Sequence, residues 1–114
     1  MKFRKGDYVK IKEILYSQRL VSLALRGGRP PERLVGCVGR IIAMFHDKKK
    51  RVDLSSYHIY MVRFLHNVDF EERFVQEEKF FFYEKELVKA DKHGIRSYCK
   101  WEDMLKSKEL AEKL

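Results

Sequence analysis

The chain of 114 residues has 45% hydrophobic and 37% charged residues and a net charge of +8, a balance that fits one folded domain with a single core and excludes wholesale disorder. Its opening, MKFRKGDYVK, is charged, and its apolar runs are far shorter than the roughly 20 residues of a membrane span, so neither a signal segment nor a membrane protein is expected. The charge is lopsided: residues 1–51 hold 14 Lys/Arg against 4 Asp/Glu, net +10, and residues 52–114 hold 11 against 13, net −2, which suits an anionic partner or a steering field as well as it suits plain solubility.

Gly6-Asp7 marks a turn, and Tyr8-Val9-Lys10-Ile11-Lys12 alternates as a half-buried strand with a basic outer face. Glu13 to Leu25 carries Ile14, Val21 and Leu25 at helical offsets and stops at Gly27-Gly28, which predicts a short helix. RGGRPPER, residues 26–33, is a loop stiffened by Pro30-Pro31. Gly36 to Phe45 is apolar on both faces except for Arg40 and predicts a central, twisted strand, in which Gly36 and Gly39 mark a bulge, a corner or a close backbone approach. HDKKKR, residues 46–51, is an exposed connection.

A third strand spans YHIYMVRF, residues 57–64. Asn67 to Glu78 reads as an acidic excursion anchored by Phe70 and Phe74. Lys79 to Tyr83 makes the fourth strand, Glu84-Lys85-Glu86-Leu87 a single helical turn, and Val88 to Ala90 a last short strand. Asp91 to Cys99, with Gly94, reads as a linker, and Trp101 to Leu114 as a helix with an apolar stripe of Trp101, Met104, Leu105 and Ala111. The expected organisation is thus a mainly β domain over residues 1–91 and a linker with a C-terminal helix over 92–114. Its core is expected to hold Val9, Ile11, Val38, Ile42, Tyr60, Val62, Phe64 and Leu87.

Gly6-Asp7 leading into Val9 and Ile11, a long excursion, Gly36-x-x-Gly39-x-Ile41, Tyr60-x-Val62-x-Phe64 and Glu84-x-Glu86-Leu87 follow one another in an order that resembles a small SH3-like β-barrel of about five strands. The resemblance is to the accessory-subunit group typified by the ferredoxin-thioredoxin reductase variable chain, photosystem I subunit IV and the C-terminal part of nitrile hydratase β subunits, and covers about residues 3–91. KOW and Tudor-type barrels share the opening strand and the glycine-containing second one, but they join the two by a much shorter loop than the 23 residues from Glu13 to Val35. The accessory-subunit resemblance implies a barrel that performs no chemistry and docks on a larger protein subunit or complex.

The residues themselves give little enzymology. Cys37 sits in an apolar strand as an inert thiol would, and Cys37, Cys99 and the four histidines make no CxxC, HxxxH or HExxH spacing, so neither catalysis, a metal nor a cofactor is expected. Two cysteines without a disulfide framework point to a cytoplasmic or other reducing compartment. The chemistry-bearing pattern is cationic: Lys10 and Lys12 on the first strand, Arg26, Arg29 and Arg33 in the loop, and Lys48, Lys49, Lys50 and Arg51 in the connection, with Tyr8 and Tyr57 as stacking planes. This patch makes RNA or DNA the alternative partner to a protein assembly; no small-molecule substrate and no membrane is expected. Lys106 and Lys108 read as solvated charges away from the patch.

Overall fold

The computed structural model describes residues 2–15, 30–46, 58–67 and 75–113. Strands β1 (Tyr8–Ile11), β2 (Val38–His46), β3 (His58–Asn67), β4 (Val75–Tyr83) and β5 (Leu87–Lys89) form one antiparallel sheet in the order β4-β3-β2-β1-β5, followed by a helix, Lys92–Lys113. The mainly β class and the C-terminal helix are as expected. Among the described residues β4 and β5 remain the two ends of the sheet, which is therefore open. The short helix expected over 13–25 lies mostly outside the described residues.

The sheet starts from a turn that Gly6 and Asp7 favour. Gly6 has φ 95°, the Asp7 carboxylate accepts the Arg4 N–H at 2.9 Å, and the chain enters β1 with Val9 and Ile11 buried and Tyr8 and Lys10 on the other face. Period-two alternation continues in β3, where Tyr60, Val62 and Phe64 are fully buried, and Phe82 of β4 lies directly opposite Tyr60. Phe3 meets Tyr60 edge-on with ring centres 5.9 Å apart, and Phe64 meets Phe82 at 5.8 Å. These residues, with Leu34, Ile41 and Leu87, are the core on the sheet's inner face.

In β2 the expected phase is inverted. Gly39 and Ile41 face the core, and Val38 and Ile42 do not. Gly39 explains the choice: a Cβ there would lie 2.5 Å from Val62 Cγ1 and 2.7 Å from the Arg63 carbonyl oxygen, so only glycine lets β2 fold this closely over β3. Ile42 is the extra residue of a bulge between Ile41 and Ala43, while Val38 packs against the helix at Gly94.

Two further elements differ from the sequence reading. The acidic stretch is in part strand, since Val75 to Glu78 pair with Asn67 to Phe64 along the edge strand β4, whose charges suit an edge; residues 68–74, with Phe70 and Phe74, lie outside the described residues. The segment 92–99 is helix, not linker. Asp91 caps it, its carboxylate accepting the Gly94 N–H at 2.7 Å and its carbonyl the Ile95 N–H at 3.1 Å. Glycine disfavours a helix by about 1 kcal/mol, but a Cβ at Gly94 would lie 2.3 Å from Val38 Cγ2, and its absence lets the first turn lie on β2.

The single turn before the last strand is present as a 3-10 helix, Glu84–Glu86, and it delivers Leu87 into the core. It also buries Glu86 completely. That carboxylate accepts the backbone N–H groups of Tyr83 and Leu15, both at 2.8 Å, tying the end of β4 to the segment after β1.

A candidate docking face on the outer side of the sheet

Antiparallel register lines up Tyr8 of β1, Arg40 of β2, Arg63 of β3 and Lys79 of β4 as one row across the outer face. Like charges placed directly opposite one another destabilise a sheet unless a counter-charge intervenes. The helix supplies it. Glu102, only 7% exposed, lies over the row with Arg40 Nη1 3.3 Å from its Oε1 and the Arg63 guanidinium donating to its Oε2; Lys106, one helical turn on, stands 3.7 Å from Oε1.

Two tyrosines complete the clamp. Tyr98 of the helix accepts from Arg63 Nε at 2.8 Å and packs edge-on against Tyr8, whose ring lies 5.4 Å beneath the Arg40 guanidinium. The Tyr8 hydroxyl stands 3.5 Å from Cys99 Sγ; this contact, with burial second, pushes its pKa up to about 12. Burial likewise pushes Tyr98 up, against the pull of Arg63. Arg63 holds its proton more firmly than a free arginine: burial opposes the charge, and Tyr98, Glu102 and Glu77 outweigh it. The helix is therefore held to the sheet by Tyr98 and Glu102, while Trp101, Met104 and Leu105 of the expected stripe are only half-buried and Ala111 is exposed.

Beside the clamp runs an open groove of about 450 Å³ lined by Lys5, Gly6, Arg40, Ile41, Ile42, Arg63, Glu102 and Lys106. Four cations border it and one carboxylate answers them. Farther along the same strands and face, Ile59, Phe81 and Tyr83 form a small buried cluster with Met61 against it. Phe45 lies edge-on to Phe81, ring centres 5.6 Å apart, and is 44% exposed; its neighbour Met44 is 36% exposed.

Of the cations expected to form one patch, Lys10 stays on the outer face of β1, Lys12 is exposed beyond its end, and Arg33 pairs instead with Glu78, which lies opposite Phe64 on β4; the other Glu78 oxygen is 3.0 Å from His66 Nε2. Arg26, Arg29, Lys48, Lys49, Lys50, Arg51 and Tyr57 lie outside the described residues. Tyr8 sits in the clamp. Lys5, Arg40, Arg63, Tyr98 and Glu102 of this face are not among the residues expected from the sequence, and Lys106 is expected away from the patch. One arginine in each of two apolar strands was the available signal, and only the register shows that the two share a level.

Cys37 is half-buried, and burial pushes its thiol pKa up, as in an unreactive cysteine. Among the described residues no helix is long and apolar enough to cross a membrane. No protein-family model, curated protein or solved structure matches the chain.

Proposed function

We propose that this protein is a non-enzymatic accessory subunit, built on an SH3-like barrel, that docks onto a larger protein assembly. Support for the barrel comes from the strand order β4-β3-β2-β1-β5, the bulge that bends β2, and the 3-10 turn that feeds Leu87 into the core.

The observation that carries the docking role is the end of β2. Consecutive strand residues point to opposite faces, and one of them normally turns inward. Met44 and Phe45 are both substantially exposed, so this end of the strand stands clear of the core with apolar side chains on both faces. Scattered exposed hydrophobic residues are commonplace; an exposed Phe45 resting on the Phe81 ring, next in sequence to an exposed Met44, is an anchor of the kind that fills a partner's pocket.

The test is affinity purification of the chain, reconstitution with the purified partner, and comparison with Phe45→Ser. The expected result is a protein complex that survives physiological salt and is weakened at least about tenfold by Phe45→Ser, with the urea midpoint unchanged. A second reading, an RNA- or DNA-binding barrel, is favoured by the cation row. Recovery of nucleic acid alone, lost steeply between low and physiological salt and indifferent to Phe45→Ser, would establish that reading in its place.

A further inference from the structure

We infer that the segment of the partner that lies on this face is an acidic peptide with an apolar residue beside its carboxylates. The inference rests on the docking role proposed above and names the chemistry of the groove's occupant.

The groove lining has an excess of positive charge, Lys5, Arg40, Arg63 and Lys106 against Glu102, even with Glu77 3.6 Å from Arg63. Its floor already holds a carboxylate, because Arg40 Nη1 and Arg63 Nη2 both donate to Glu102, the group type that guanidinium donors favour. Lys5 and Lys106, both exposed, stand at the rim.

The choice between an acidic peptide and a nucleic acid follows from what surrounds the cations. A phosphate backbone carries charge continuously and favours an unbroken cationic track. Here the row is short, and Glu77 lies beside it, 3.6 Å from Arg63 and 3.0 Å from Lys79, while Glu102 lies across it. Such a field of mixed sign suits carboxylates placed singly. The strand then offers an apolar contact within one peptide's reach: Met61 lies two residues from Arg63 on the same face, about 7 Å along β3, and adjoins Phe81, on which Phe45 rests.

The experiment uses the full chain and three fluorescent probes: a short peptide of glutamate and phenylalanine, the same peptide with lysine for glutamate, and an oligothymidylate. Variants are Lys5→Gln with Lys106→Gln at the groove rim, Phe45→Ser at the strand end, and Lys85→Gln with Lys89→Gln as a charge-matched control. The glutamate peptide is expected to bind tighter than the lysine peptide, to lose on the order of tenfold with the rim pair and again with Phe45→Ser, and to be little affected by the control pair. If both peptides bind equally and only Phe45→Ser matters, the docking role stands and the acidic occupant is overturned. If the control pair weakens binding as much as the rim pair, general charge is responsible and the groove is not the site. Binding of oligothymidylate in preference to either peptide overturns the inference and the docking role together, and absence of binding by all three probes overturns the inference.

Discussion

The two faces of the sheet solve opposite problems. The inner face closes on itself: Tyr60, Val62, Phe64 and Phe82 are buried, and the fully buried carboxylate of Glu86 is matched to backbone donors. The outer face holds charge at the level where the inner face holds Val62 and Phe64, and uses it to fasten a helix while leaving a groove beside the fastening. Apolar burial gives the larger stabilisation, whereas half-exposed charges add little to folding and much to recognition. The stability of this chain should therefore reside inside the sheet and its selectivity outside.

The largest expected effect is on the inner face. Phe64→Ala should cost about 3–5 kcal/mol through lost burial and a residual cavity, read as a lowered urea midpoint; an unchanged midpoint would mean that the core is elsewhere. Glu86→Ala should cost about 1–3 kcal/mol by leaving the buried Tyr83 N–H and the part-buried Leu15 N–H without their acceptor, and Glu86→Gln, which keeps an acceptor, should cost less. On the outer face Glu102→Ala should cost about 1–3 kcal/mol, below the range for breaking a fully buried pair because Arg40 is partly screened by solvent. It should also raise amide exchange in Lys92–Lys113 more than in β3. Equal exchange changes in both elements would show that the clamp supports the core and not just the helix.

Smaller still is the alkaline limb. Tyr60 is pushed up to about 12 by burial and then by its hydroxyl's 2.6 Å hydrogen bond to Glu84, and Tyr8 to about 12 by Cys99 and burial, both from 10.0. Each folded-state pKa lies above the unfolded one, so this contribution to stability is complete below pH 10 and declines as pH rises toward about 12. Tyr60→Phe should flatten part of that decline. A wild-type stability that rises over the same interval would contradict the assignment.

The inner face was largely legible in the sequence and the outer face largely was not, and the reason is physical. Val9, Ile11, Tyr60, Val62 and Phe64 announce themselves by local alternation, and Leu87 by the turn before it. Where both faces of a strand are apolar, as in β2, alternation gives no phase; Gly39 carried the answer, as the residue that must face the closest neighbour. Gly94 misled in the other direction, because its low helix propensity is a local property and its fit against Val38 is a tertiary one. The Arg40, Arg63 and Glu102 cluster joins positions 62 residues apart, through a register and a helix docking that no window of sequence contains.

The central claim is that the outer face, and not the core side of the sheet, receives a partner. Amide chemical-shift mapping of the chain during titration with the glutamate and phenylalanine peptide tests it most directly. The account predicts the largest shifts at Lys5, Gly6, Ile42 to Phe45, Arg63 and Lys106, with Leu34, Glu78 and Glu86 nearly unmoved. Shifts concentrated at Arg33, His66 and Glu78, on the other side of the sheet, would contradict it.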